Sequence, residues 1–371
     1  MCLALVGAAS AAPKGSGKPP PGGGEAVILP VVLAPPSGCV ADRNAFYLLT
    51  LNTPADKADT IVVATLRCGS YSRPWYWQAG KWTAVGMLPG RNSGMVTSVS
   101  DLGNNGNAPV IAGVQYGGDG RTGFVTHPGG WVEPVPPLPG YQWTWSIAVS
   151  ADGKHLAGAA DNNDYANEIY DMVTARWNWE KNTWKPEWIT NRVGNAYFPG
   201  RDASIIATDF WIWMDGDADP QFAADQTEPL DLSPDSEIAS GHGFCYSPQC
   251  NGWLEFPLYW TFDGHWAHRS LTPLAEGYDS RGHGIGRLLN GKRVIVGRGR
   301  TASDAIHRAL AWTETSAGSE SFGLPIRLAP FENRSSYWAD AHDVNGHGQV
   351  VGLARGSGRR PAEIVLWQLP Q

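Results

Sequence analysis

One short apolar pattern recurs along the chain, and it limits the possible folds more than any other feature. Runs ending in a small residue stand at Val62-Val63-Ala64-Thr65, Val110-Ile111-Ala112-Gly113, His155-Leu156-Ala157-Gly158, Ile205-Ile206-Ala207-Thr208, Val294-Ile295-Val296-Gly297 and Gln349-Val350-Val351-Gly352. Their last residues are 48, 45, 50, 89 and 55 apart, so the 89 spans two periods and a further copy is expected near Gly252. In that gap the stretch from Cys245 to Cys250 takes the place of the strand turn. An aromatic marker follows each copy, at Trp75-Tyr76-Trp77, Phe124, Trp177 with Trp179, Trp211 with Trp213, Tyr259-Trp260, Trp312 and Trp367. A third marker, a strand running into Leu-Pro or a variant, closes the units at Val85–Pro89, Val135–Pro139, Pro229–Leu232, Leu271–Leu274 and Pro325–Leu328.

The final unit reaches Gln371 without this closing strand, and a matching piece stands at the other end of the sequence, Val27–Leu33. Repeats of 20–50 residues signal solenoids or propellers. Four strands per unit, a period near 48 and a tail completed by the head predict an all-β fold. The expected form is a seven-bladed β-propeller of four-stranded blades, closed by an N-terminal strand pairing into the last blade. Residues 25–371 then form one domain. The compressed fourth copy and the altered turn of the fifth leave six or eight blades open.

Composition agrees with this reading. Only 17% of the 371 residues are charged, and the 45 Gly and 28 Pro suit many short strands joined by turns. A helical bundle needs far more charge on its outer faces. The net charge of -7 offers no basic surface for a phosphate backbone, so nucleic acid is not an expected partner. No stretch approaches the ~18 apolar residues of a membrane span.

Residues 1–24 combine a short apolar run ending in Ala9-Ser10-Ala11 with a Pro/Gly/Lys linker, which reads as a signal-like leader. A secreted or periplasmic protein is therefore expected. In such a compartment Cys39, Cys68, Cys245 and Cys250 read most simply as two disulfides, Cys39–Cys68 and Cys245–Cys250. Four buried thiols are the alternative.

The last copy, Ala341-His342-Asp343-Val344-Asn345-Gly346-His347-Gly348-Gln349-Val350-Val351-Gly352 followed by Ile364-Val365-Leu366-Trp367, resembles the HAF extracellular repeat. Ala148-Val149-Ser150-Ala151-Asp152-Gly153 opens another such copy. The resemblance implies a bacterial exported repeat protein. Its motif is a turn between two strands, so it carries over no catalytic residue.

Candidate chemistry gathers in the later units. His242, His283 and His342 each stand two residues before an apolar residue, and each is expected at the start of the innermost strand of successive blades, facing a common space. Histidine is the usual acid or base near neutral pH and the commonest metal ligand. Packing between blades is the competing account. Tyr278 and Arg281 stand by to assist, and Trp143, Trp145, Tyr337, Trp338, Asp279 and Asp340 provide rings and polar groups suited to sugars. Arg73, Arg121, Arg308 and Arg359 precede the aromatic marker in four copies, a repetition that points to scaffold. Asp161 to Asp164 with Glu168, and Asp215 to Asp219, concentrate calcium-type oxygens, although turns explain them as well.

No nucleotide-binding loop, G-x-S-x-G elbow or H-E-x-x-H motif is present. The expected function is an exported, monomeric binding or scaffold module without catalysis or cofactor, presenting a loop-rich face to a glycan or cell-surface partner. The alternative is a polysaccharide lyase or hydrolase using the histidines as base or as ligands of a metal.

Overall fold

The glycine ending four of the recurring runs has a structural cause, which Gly241 shares. Gly113, Gly158, Gly241, Gly297 and Gly352 lie on second strands, each facing a β-bulge in the strand beside it. A Cβ on Gly297 would sit 1.9 Å from the carbonyl oxygen of Arg281, and one on Gly352 2.2 Å from that of Asp340. Only glycine allows the bulged strand to approach so closely.

The computed structural model describes residues 28–42, 49–103, 108–118, 120–162, 171–194, 197–208, 211–217, 220–222, 227–247, 252–262, 265–274, 279–301, 304–329, 338–355 and 361–370. They form seven sheets in a ring, each antiparallel, so the chain is a seven-bladed β-propeller. In inner, second, third and outer order, blade 2 comprises Ser93–Val99, Ile111–Gly117, Gly120–Thr126 and Glu133–Pro134. Blade 3 comprises Trp143–Val149, His155–Asp161, Met172–Glu180 and Thr183–Thr190. Blade 4 is short: Tyr197–Pro199, Ile205–Thr208, Trp211–Met214 and Gln221–Phe222. Blade 5 is long: Thr227–Leu232, Ile238–Ser247, Gly252–Phe262 and Trp266–Ser270. Blade 6 runs through Ser280–Arg287, Arg293–Thr301, Asp304–Thr313 and Ile326–Leu328.

Blades 1 and 7 meet at the closure. In blade 1, Cys39–Ala41 and Thr50–Leu51 share the inner place beside Val62–Cys68, with Tyr71–Gln78 and Lys81–Ala84 outside. Blade 7 comprises Trp338–Val344, Gln349–Arg355 and Glu363–Gln368, and its outer strand is Val31–Val32 from the head of the chain. Val31 pairs with Leu366 and Val32 with Val365, and Leu33 donates its N–H to the Ile364 carbonyl at 2.9 Å. The expected closure is therefore present, while the leader, residues 1–24, and Val27 lie outside the described residues.

Each seam between blades has its own apolar core. Trp367 packs with Val294, Val296 and Ala311 between blades 6 and 7, and Trp177 packs with Val110 and Val125 between blades 2 and 3. Burying a large aromatic contributes about 2–3 kcal/mol from apolar area. Three of these rings also find a partner for the indole N–H. Trp177, Trp312 and Trp367 donate to the carbonyls of Pro136, Thr272 and Ala329 in the preceding blade, at 2.7, 2.7 and 2.6 Å.

Two sequence expectations need correction. Pro229–Leu232 belongs to the inner strand of blade 5 and does not close blade 4, whose outer strand is Gln221–Phe222. The fifth small residue is accordingly Gly241 rather than one near Gly252, 33 residues after Thr208 and 56 before Gly297. A blade with strands of two to four residues next to one with strands of up to eleven breaks the period without breaking the ring.

Cys39 and Cys68, opposed in the ladder of blade 1, form a disulfide. Cys245 lies on the second strand of blade 5 opposite Leu254, and Cys250 lies outside the described residues.

Candidate functional site

A bulge leaves one residue of its strand outside the ladder and re-aims that side chain. On the inner strands these residues are Thr97, Leu230, His283 and His342, in blades 2, 5, 6 and 7. All four line one central cavity of about 470 Å³, to which every blade contributes. Its polar lining includes Asp101, Arg201, Glu228, Asp231, His283, His342 and Asp343.

In blades 2, 5 and 7 the residue after the bulge ties one blade to the next. Ser98 Oγ accepts the Val149 N–H at 2.7 Å, Asp231 Oδ2 accepts that of Ile285 at 2.8 Å, and Asp343 Oδ2 accepts that of Leu51 at 3.0 Å. These are one register position occupied by a hydroxyl in blade 2 and by carboxylates in blades 5 and 7. Burial pushes Asp231 up to about 7, and it drives Asp343 well above the carboxylate range, with Asp231 adding repulsion. Burial likewise raises Asp101 to about 6, against the pull of Thr53 and Arg201.

Behind the cavity wall runs a buried ionic network through blades 5, 6 and 7. His283 and His342 stack with ring centres 5.3 Å apart. His283 Nε2 lies 3.1 Å from Asp340 Oδ1, and Arg298 reaches the other Asp340 oxygen at 3.1 Å. Arg298 and Arg281 both approach Glu255 at 3.4 Å, and Arg281 donates to His242 Nε2 at 2.5 Å. His242 Nε2 also lies 3.5 Å from Glu228.

Burial lowers the basicity of all three histidines. It brings His283 down to about 3, with Asp340 opposing, and it lowers His342 and His242, the latter helped by Arg281. All three rings are therefore neutral at neutral pH. Burial alone would raise Asp340, but His283 and Arg298 hold it well below the ordinary range.

His283 and His342 thus share a wall as the sequence suggested, although they sit mid-strand, at the bulges. His242 is different: it lies on the second strand of blade 5, opposite Pro257, and is fully buried. The misplaced blade 5 pattern is the reason it was expected on an inner strand. Arg281 and Asp340 belong to the network, and Asp279 pairs with Arg300 nearby.

The aromatic candidates lie elsewhere. Trp143 has the Arg91 guanidinium of blade 2 at 5.9 Å from its ring centre, and Trp145, with that of Arg121 at 4.5 Å, packs against the core between blades 3 and 4. Trp338 packs against the core between blades 7 and 1. Tyr278 and Tyr337 lie outside the described residues.

Two acids of the calcium-type clusters are engaged by arginines. Asp161 is buried and binds Arg121 at 2.7 Å, Asp215 binds Arg176 at 2.8 Å, and Asn163, Asp164, Glu168, Ala218 and Asp219 lie outside the described residues. Among the described residues no group of three or more His, Cys, Asp or Glu is placed to hold a metal ion.

The cavity carboxylates Asp101, Glu228, Asp231 and Asp343 were missed by sequence reasoning. A signal existed: Ser98-Val99-Ser100, Asp231-Leu232-Ser233 and Asp343-Val344-Asn345 align as one inner-strand ending.

No protein-family model matches the chain, and no curated protein matches it. Solved structures match its fold. Oligogalacturonate lyase from Vibrio parahaemolyticus gives a TM-score of 0.53 at 8% identity, over 92% of this chain and 93% of that one. An oligogalacturonate lyase in complex with manganese gives 0.50 at 13% identity, over the same shares of 92% and 93%. The β-propeller domain of the trilobed protease from Pyrococcus furiosus, described as having an open velcro topology, gives 0.50 at 12% identity, over 86% and 93%. At these identities the likeness is one of fold. The present ring differs from that last description in being closed by paired strands from head and tail.

Proposed function

We propose that the chain is an exported propeller that binds a glycan in its central channel without transforming it. The observation carrying this reading is the central cavity of about 470 Å³ to which all seven blades contribute and into which polar groups converge. Such a volume falls in the ~300–1,000 Å³ range of small-ligand sites, with polar groups placed to fix orientation. The Cys39–Cys68 disulfide and the signal-like leader support export, and the HAF-type turns support membership in that exported repeat family.

A glycan array on the purified chain, with and without chelator, tests the proposal. Binding to a defined sugar is expected and is lost in Leu230→Trp, which fills the channel from a bulge position. Binding that survives this substitution places the ligand outside the channel, and silence on every sugar moves the function to a protein partner.

The stacked His283 and His342, with Asp340 and Arg281 beside them, favour a second reading as a polysaccharide lyase. Neutral imidazoles are competent proton acceptors. Oligogalacturonate incubated with and without manganese decides it through the ultraviolet absorbance of an unsaturated product; no product with either sets this reading aside.

A further inference from the structure

Asp231 and Asp343 do more than their latch role requires. In blade 2 the same position is Ser98, whose neutral hydroxyl accepts the neighbouring N–H at 2.7 Å. Blades 3 and 6 carry Ala148 and Gly284 there, which have no acceptor at all. A hydroxyl suffices to join the blades, so the two carboxylates add charge that folding must desolvate. Neither has an ion-pair partner among the described residues, although each accepts two backbone N–H groups. Asp101 and Glu228 face the same cavity, and Arg201 is the only guanidinium or ammonium among the described residues lining it.

A second observation is independent of the acids. His342 lines this cavity with 6% of its surface exposed, and its Nε2 has no hydrogen-bond partner among the described residues. Its neutral ring is held in place by stacking on His283. An unpartnered buried imidazole nitrogen beside carboxylates calls for a ligand that brings N–H groups and positive charge together.

We infer that the channel receives a protonated amine between Asp231, Asp343 and His342. The inference rests on the channel being the ligand site and narrows the glycan to an amino sugar. The charged side chains of the lining are carboxyl groups apart from Arg201, and its aromatic rings, Tyr197 and Phe198, come from blade 4 alone. Quaternary ammonium groups are recognised instead by cages of aromatic rings. An amine bearing N–H groups therefore fits this lining better than a choline-type cation. A uronate would meet four acidic side chains against one arginine and is disfavoured.

The charged and titratable groups around the amine site are Asp101, Arg201, Glu228, His283 and His342 on the cavity, with His242, Glu255, Arg281, Arg298 and Asp340 behind the wall. Burial holds all three histidines below their ordinary value, so near neutral pH the change in charge comes from the carboxylates. Amine binding consequently strengthens as pH rises through the values of about 6 for Asp101 and about 7 for Asp231.

Titration calorimetry on the intact chain tests this with four probes: a glucosamine trisaccharide, its fully N-acetylated form, the linear diamine putrescine, and choline. The glucosamine trisaccharide is expected to bind at least about tenfold more tightly than its acetylated form, the loss expected when charged hydrogen bonds are removed. Putrescine binds measurably and choline does not. Asp231→Asn and Asp343→Asn, which keep an oxygen for the latch, each weaken the trisaccharide by at least about tenfold. Equal binding of the free and acetylated sugars overturns the amine site while leaving the channel as a glycan site. Putrescine binding with neither sugar bound keeps the amine site and overturns the glycan reading. Failure of both amine probes, measured on the unsubstituted chain, overturns the inference without recourse to any variant.

Discussion

Arg293 shows how a single residue can hold two blades together. It is 4% exposed and lies 3.0 Å from Asp235 of blade 5 and 3.2 Å from Glu314 of its own blade, with Glu237 also in contact. The Glu314 side chain is fully buried, so removing Arg293 strands a charge. Arg293→Met is expected to lower stability by about 3–5 kcal/mol in urea denaturation, with Arg293→Lys losing less. Asp231 has the opposite character. Its carboxyl is easier to deprotonate in the unfolded chain, at 3.8, than in the fold, at about 7. The folded state is therefore favoured below 3.8, and that advantage is lost as pH rises through about 7. Asp231→Asn should flatten this dependence and raise the melting temperature by about 2–4 °C near pH 8, measured by thermal melts across the range. The sequence marked His283 and His342 correctly as neighbours. It could not rank Asp231, because an aspartate's chemistry depends on the water it loses.

At the scale of the strand, the decisive device is the glycine facing a bulge. Gly352→Ala would drive a methyl against the Asp340 carbonyl oxygen at 2.2 Å and against the Trp367 ring at 2.7 Å. The strands must part, with an expected loss of about 1–3 kcal/mol from overpacking. Displacement of the His342 bulge should accompany it, seen as a changed imidazole signal by NMR. The recurring glycine was legible because this constraint repeats in blades 2, 3, 6 and 7. The bulge itself was not legible, since a shift of register leaves no mark in one strand's own sequence and is set by its partner. That is why His242 was placed on an inner strand: the motif around it matches, but the strand beside it decides its rank.

For the whole ring, closure depends on a short segment from the head of the chain. Its outer strand is two residues long, and the exposed Val31 and Val32 contribute mainly backbone pairing. Leu33 provides the anchor: it is 2% exposed, and its carbonyl accepts the Trp82 indole N–H at 3.3 Å. Leu33→Ala should cost about 2–5 kcal/mol. If the ring unfolds as one unit, chemical denaturation will show a single shifted transition. The seam is reinforced on its inner side, where Asn345 Nδ2 donates to the Asn52 carbonyl at 2.9 Å and His347 Nε2 contacts that of Pro54 at 2.7 Å. In the adjoining blade the disulfide closes a separation of 29 residues, and its reduction should lower stability by about 2–4 kcal/mol, read as a lower melting temperature in reductant.

The repeating four-stranded unit, its aromatic third strand and the joining of head to tail were written in the sequence, because the unit repeats a local requirement and the last copy lacks a strand that the head supplies; the count of seven was settled by the ring itself. Which side chains share the channel was decided only by the fold. Blades 4 and 5 differ in length, so equal spacing along the chain does not give equal places around the axis. The charge state of those side chains follows from how deeply the ring buries them.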